Sequence, residues 1–384
     1  MSSKNRIVKF GVELFRILVG ATFLFSGFVK AIDPLGFTYK IEDYLIELGL
    51  TNFFPLALPA AISMVTAEFA LGVFLLLGIF RKWTVRLIIL FMLFFTPLTL
   101  WIAIANPVEN CGCFGDAFLI TNWQTFYKNI ILLTGATLLL LKWEEITPLF
   151  SRKRAPVEAL LTLLFGVLFS LYNLYRLPVL DFRPYKIGAD IAQQMVVDPE
   201  KADQMENVFV YRKDGMEQEF TEENYPWNDS TWTFVEMKTK LVKEGEKPAI
   251  EDFALEALYY DEVSATWNIG EDITDMILTN PSYSFLMVSY SLEKMRLKQL
   301  DRFKVVYHFA KEKGYPFYLL TSSATDVVGE WEEQHRTGFQ FCHGDERVLK
   351  TMIRANPGLM LLKEGRVINK WDGSRVPDKK KLNF

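Results

Sequence analysis

The chain has 384 residues, half of them apolar, with 32 Phe, 9 Trp and a mean hydropathy of +0.13. Residues 1–180 carry 15 Lys+Arg and 11 Asp+Glu, a net of +4, whereas residues 181–384 carry the other 27 and 35, a net of −8. Long apolar runs punctuated by bases, followed by a mixed acidic half, exclude a single soluble enzyme, a disordered chain and a nucleic-acid binder; they read as a membrane half joined to a soluble half.

A membrane-crossing helix needs about 20 predominantly apolar residues. Five segments qualify, at 7–29, 54–80, 85–105, 123–141 and 157–179. The first follows Lys4, Arg6 and Lys9 but has no small-residue cleavage site and carries Glu13 and Arg16, so a retained anchor is expected. Basic residues in short loops stay cytoplasmic. They cluster at the N-terminus, at Arg81, Lys82 and Arg86, and at Arg152, Lys153 and Arg154. The connections between them (Asp33, Lys40, Glu42, Asp43 and Glu47; Glu109 and Asp116) are acidic on balance. The alternation puts the N-terminus inside and, with five crossings, the soluble half outside.

Ionisable groups at membrane depth are functional candidates. At 1.5 Å per residue, Arg16 lies about 14 Å from the cytoplasmic side of the first segment and Glu68 about 18 Å deep in the second. One expectation is an Arg16–Glu68 pair inside the bundle; the other is that Glu13 and Arg16 pair at i,i+3. Pro97 should kink the third segment, and Asn106-Pro107 should end it.

The three cysteines are Cys111, Cys113 and Cys342, and this topology puts all of them outside the cytoplasm, where disulfides persist. Cys111-Gly112-Cys113 lies in the 107–122 connection. Closure between i and i+2 is tight, and Gly112 supplies the backbone freedom the turn needs. A strained disulfide is readily reduced, so the pair reads either as a redox couple or as a structural staple. Two thiols are too few for a closed zinc site, and the membrane half has no His. No metal is expected.

Arg16…Gly20…Phe25-Ser26-Gly27-Phe28-Val29-Lys30…Asp33-Pro34 resembles the opening of DoxX-like membrane proteins. Glu68-Phe69-Ala70-Leu71-Gly72 and Cys111-Gly-Cys-Phe-Gly115 resemble the MauE branch of that group. The resemblance covers about residues 7–142 and implies a four-helix bundle associated with disulfide formation or transfer in periplasmic partners. By position it makes Cys111 and Cys113 the redox pair and Arg16 and Glu68 bundle-interior residues. The fifth segment and the long C-terminal half depart from the short family pattern.

In the soluble half, 208–211 and 218–221 flank the turn Lys213-Asp214-Gly215 and suggest a hairpin, with 232–236 as a third strand. Beyond it, strands are expected at 285–289, 317–320 and 339–342, and helices at 292–313, 324–335 and 346–354. A terminal hairpin, 358–362 with 366–371, completes an order that argues for a parallel sheet with an antiparallel edge. This order resembles a thioredoxin-like domain of the TlpA or peroxiredoxin type. Lys247–Leu255 looks like its lead-in segment, and Pro357 stands where that family keeps a cis-proline. The family's Cys-x-x-Cys should follow the strand at 285–289, but Tyr290-Ser-Leu-Glu-Lys-Met295 has no thiol. The resemblance therefore implies a binding domain and no dithiol exchange at that place.

Cys342 ends a predicted parallel strand. It is either a secondary thiol at the ligand-binding edge, with His343 beside it, or a small buried hydrophobe. His308 and His335 have no evident partner, and no nucleotide-binding or metalloprotease motif occurs.

The expected organisation is a four-helix membrane domain at 1–145, a fifth transmembrane helix at 146–180, a β-rich connection at 181–245 and a thioredoxin-like periplasmic domain at 246–384. The leading functional expectation is a thiol–disulfide component of the bacterial inner membrane that uses Cys111 and Cys113 with a periplasmic protein partner. The alternatives are a non-enzymatic assembly protein and a quinone-linked electron-transfer subunit, for which Trp101 and Phe95 could line a pocket. Pro178 and Pro184 stiffen the exit from the fifth segment, so the soluble half should sit close over the 107–122 connection.

Overall fold

The structure, a computed structural model, describes residues 3–108, 111–198, 201, 204–243 and 245–382. Glu109 and the side chain of Lys4, both used above, lie outside the described residues.

Six helices build the N-terminal region: α1 (Ser3–Ile32), α2 (Pro34–Glu47), α3 (Phe54–Leu77), α4 (Arg81–Ala105), α5 (Asn122–Leu141) and α6 (Ala155–Tyr175). Among the described residues, all but α2 are long and apolar enough to cross a membrane, close to the five segments expected. Helix α2 falls where a plain acidic connection was expected. Asp33 and Pro34 explain it: the Asp33 carboxylate accepts from the amide of Gly36 at 2.9 Å, and Pro34 starts the new helix without needing a donor. Pro97 sits within α4, which runs continuously to Ala105; Asn106, at φ +46°, ends it.

Helices α1 and α3 run antiparallel with their backbones in near contact. A Cβ on Gly27 would overlap the backbone of Phe69, and one on Gly72 the backbone of Leu24. Glycine at both positions is thus a packing requirement. Val12, Val19, Phe23, Leu75, Ile88 and Leu132 fill the centre of the bundle. Helix α6 joins this bundle: Phe169 stacks on Phe28 at 5.5 Å, and the Asn173 side chain donates to the carbonyl of Ala31 at 3.2 Å.

After α6 the chain is bolted to the C-terminal half. Asp181 accepts from Arg183 (2.8 Å) and Lys370 (2.9 Å), and Arg183 also donates to the carbonyl of Thr351 (3.0 Å). A short helix, α7 (Ile191–Gln194), leads to β1 (Gln204–Lys213), β2 (Met216–Phe220) and β3 (Thr233–Lys243), an antiparallel sheet in the order β2-β1-β3. One face of this sheet carries the ion pairs Arg212–Glu217, Lys238–Glu236 and Lys240–Glu219 above buried Val208 and Val210.

The remaining elements are β4 (Leu255–Asp261), β5 (Thr266–Asp272), α8 (Thr274–Leu278), β6 (Tyr283–Val288), α9 (Leu300–Lys313), β7 (Phe317–Thr321), α10 (Thr325–His335), β8 (Gln340–Gly344), α11 (Glu346–Met352), β9 (Gly358–Lys363) and β10 (Arg366–Asp372). The described strands β4–β10 form one sheet in the order β10-β9-β6-β7-β8-β4-β5. Strands β6, β7 and β8 are parallel, whereas both edges are antiparallel. The second antiparallel edge, β4–β5, corrects the expectation of a single one: the residues that follow the lead-in, for which no element was expected, form a hairpin whose turn includes Ala265 at φ +52°. The helix expected from residue 292 starts only at Leu300. Phe285, Phe303, Val306 and Phe341 fill one face of the sheet; Leu286, Leu320, Met352 and Met360 fill the other.

Candidate functional site

Cys111 and Cys113 lie in the turn between α4 and α5, both half-buried. Gly112, at φ +67°, reverses the chain between them and packs against the Lys40 stem of α2. Their sulfur atoms are 2.7 Å apart. The turn is held from two sides: Ser26 of α1 donates to the Cys113 carbonyl (2.6 Å), and the Tyr44 hydroxyl of α2 donates to the Cys111 carbonyl (2.9 Å).

The two thiols are electrostatically unlike. The hydrogen bond from Cys111, with the nearby ammonium groups of Lys128 and Lys30, outweighs burial and draws the Cys113 pKa down to about 6. The same hydrogen bond and burial push Cys111 well above the usual thiol range. Lys128 also sits over the Phe114 ring at 4.4 Å.

Glu68 is buried and its partner is Lys30, with Nζ 2.8 Å from the carboxylate; Lys30 also donates to Ser26 (3.2 Å). The Arg16–Glu68 pair is not formed. Arg16 instead bonds Glu13 (3.1 Å) and the carbonyls of Leu75 (3.1 Å) and Leu76 (2.5 Å). The antiparallel register explains the difference. Arg16 faces Leu76, eight residues from Glu68 and so about 12 Å away along α3 at the helical rise.

Two cavities flank the cysteine turn. One, of about 240 Å³, runs into the bundle and is lined by Cys111, Cys113, Lys30, Phe37, Phe91 and Phe95; Trp101 is not among its lining residues. The other, of about 590 Å³, is a mixed cleft between α2 and the C-terminal half, lined by Gly112, Gly115, Lys40, Arg183, Lys350 and Arg354 but by neither cysteine.

The C-terminal half docks on α2. Arg354 pairs with Asp33 (2.9 Å), and Arg347 approaches Asp43 (3.8 Å). Lys350 lies over the rings of Tyr39 (4.5 Å) and Tyr290 (5.4 Å). Burial and hydrogen bonding to Tyr290 push the Tyr39 hydroxyl pKa upward. Tyr290 opens the thiol-free segment 290–295, which the Asn356 side chain ties down: its amide donates to the Ser291 carbonyl (2.8 Å) and its oxygen accepts from Ser289 (2.6 Å). The Asn356–Pro357 bond is cis. Cys342, in mid-β8, is fully buried beside Leu320 and Met360, and burial raises its pKa to about 12. It does not join the other two cysteines. Among the described residues, no cluster of three His, Cys, Asp or Glu could hold a metal ion.

Lys30, Tyr39, Tyr44, Lys128, Asp33 and Arg354 were not singled out from the sequence as site residues. The Asp-Pro helix start at Asp33 is the one legible signal, since it foretells α2 and thereby the wall behind Cys111.

Residues 8–142, about a third of the chain, match the family described as methylamine utilisation protein MauE, and residues 205–244 match a domain of unknown function (DUF8463). No curated protein and no solved structure matches the chain. The match covers α1 to α5 and includes the cysteine turn; the N-terminal region is thus a MauE-like membrane region.

Proposed function

We propose that the chain is a thiol–disulfide component of a bacterial inner membrane, exchanging disulfides with periplasmic proteins through Cys111 and Cys113. The observation that carries this reading is the pair of thiols 2.7 Å apart in a turn fixed by Ser26 and Tyr44. In the oxidised pair a partner thiolate attacks Cys111, and Cys113, the thiol of lower pKa, leaves as thiolate. A second partner thiol then attacks the mixed disulfide, releasing Cys111 as a thiol and the partner with its own disulfide. The atoms and electrons also balance in reverse.

The soluble half takes the part of a thioredoxin-like domain without its dithiol. Its sheet order, the cis Asn356–Pro357 bond and the thiol-free segment 290–295 support that assignment. In this reading the edge that would carry such a domain's active site grips α2 close to the cysteine turn. The basic loops, on the side of the bundle away from this domain, support the periplasmic orientation.

The test is to trap the redox state of Cys111 and Cys113 in membranes by rapid alkylation. A pair that cycles between dithiol and disulfide when a reduced or oxidised thiol protein is added supports the proposal. A pair that never changes state refutes it and leaves a structural staple in an assembly protein.

A further inference from the structure

We infer that the cleft of about 590 Å³ between α2 and the C-terminal half seats the headgroup of phosphatidylethanolamine, a phosphodiester with a primary ammonium, from the leaflet on that side of the membrane. The inference does not rest on disulfide exchange. It starts from which charges in the cleft have partners. Arg354 pairs with Asp33, Arg347 with Asp43 and Lys350 with Glu346, while Arg183 is held by Asp181 and Lys30 by Glu68. Four charged side chains remain on the same walls: Lys40 and Lys294, Glu42 and Asp116. Among the described residues, none of these four side chains makes an ion pair or a hydrogen bond. Desolvation in the cleft pushes the Glu42 and Asp116 carboxyls above their usual range, and the bases around them do not cancel it.

Unanswered charges of both signs in one recess suit a ligand that carries both. A phosphodiester anion can accept from the two lysines, and a primary ammonium, with three N–H donors, can serve the carboxylates. A purely anionic headgroup would leave Glu42 and Asp116 unanswered, and choline has no N–H to donate. The volume falls within the range of about 300–1,000 Å³ usual for small-molecule sites.

The position of the cleft names a lipid as the source. Helix α1 ends at Ile32, α3 begins at Phe54 and α6 ends at Tyr175, and Ile32, Phe54 and Pro178 all line the cleft. It therefore lies at the level where the spans leave the membrane. Ile46, Leu180 and Phe182 also line it and are themselves exposed. Apolar side chains exposed beside a charged recess at headgroup level give acyl chains a path from the recess into the bilayer. A lipid held there would touch α2, the exit from α6 and the C-terminal half together.

The experiment is native mass spectrometry of the full chain, delipidated in detergent and titrated separately with palmitoyl-oleoyl phosphatidylethanolamine, phosphatidylglycerol, phosphatidylcholine and the soluble headgroup glycerophosphoethanolamine. One phosphatidylethanolamine should bind, at least about tenfold more tightly than the other two lipids. Glu42→Gln with Asp116→Asn should weaken it at least about tenfold without weakening phosphatidylglycerol, whereas Lys40→Gln with Lys294→Gln should weaken both. These side chains bond to nothing else, so the variants should melt as the parent does, and each single substitution should show part of the loss. Equal affinity for the three lipids, or phosphatidylethanolamine binding that neither pair of substitutions changes, overturns the site. Glycerophosphoethanolamine that binds as tightly as the intact lipid overturns the membrane source and makes the ligand a soluble zwitterion.

Discussion

Arg354 and Asp33 form an ion pair across 321 residues of sequence, with Nε 2.9 Å from Oδ2. Asp33 caps α2 at the membrane surface, and Arg354 stands two residues before the Asn356 that organises segment 290–295. The pair therefore connects the helix behind the cysteine turn to the C-terminal half. Both side chains are largely buried, so the contact resists screening by salt.

Breaking such a pair from one side leaves an uncompensated buried charge and costs on the order of 3 kcal/mol. Arg354→Ala should therefore loosen the docked soluble half. Limited proteolysis should then cut near residues 176–185 at least several times faster than in the parent. An unchanged cleavage rate would show that the other contacts carry the docking alone.

The same pair gives docking a pH dependence. Burial opposes ionisation of Asp33, but Arg354 and Arg183 outweigh it and hold the carboxyl below its usual range. A carboxylate depressed in the folded state stabilises fully above its ordinary pKa, about 3.9, and loses that contribution as pH falls through the lower folded value. Docking should thus be constant from pH 7 to about pH 5 and weaken below about pH 4. Fluorescence energy transfer between labels on α2 and α9 would follow it, and Asp33→Asn should remove the acid step.

Cys113 should react as a thiolate under mild acid. With its pKa near 6, alkylation by iodoacetamide should rise about tenfold per pH unit below pH 6 and level off above pH 7. Cys111→Ala removes the donated hydrogen bond and should move the inflection upward. Mass spectrometry of the labelled turn measures both, and an inflection near 8.5 in the parent would contradict the assignment.

Lys30→Met should destabilise the bundle by about 3 kcal/mol, because Glu68 then remains buried without its partner. Combining it with Glu68→Leu should restore much of that loss, since a buried ion pair is often replaceable by apolar groups of similar size. Thermal melts of the two single variants and the double variant in detergent close the cycle. Strictly additive losses would mean that the two residues do not interact.

Gly72→Leu should prevent α1 and α3 from approaching, because the added side chain meets the Leu24 backbone, which cannot yield as a flexible side chain would. The expected outcome is loss of folded protein from the membrane, scored by yield and by resistance to protease. Gly49→Ala, at a turn with open space around it, is the control that should fold, at a modest cost for its left-handed backbone.

The membrane half was readable because lipid forces every backbone polar group to bond within its own helix, so each span is written as one continuous apolar run. Hydropathy alone therefore placed five helices within a few residues of their positions, and short apolar runs bounded by turn residues located β6 to β10 for a similar local reason. The Cys-Gly-Cys turn was equally plain. Other features depended on relations between segments. Which charge meets Glu68 is decided by the offset of α1 against α3, fixed where Gly27 and Gly72 let two backbones touch. Counting depth along each helix separately cannot supply that offset, and it pointed to Arg16. Helix α2 acquires its role only when the C-terminal half lies on it, because Tyr39, Asp33 and Lys40 are ordinary surface residues until a second wall faces them. Spacing along the chain records what a segment does by itself; the register and rotation of packed helices, and the partners they bring together, exist only once the chain has closed on itself.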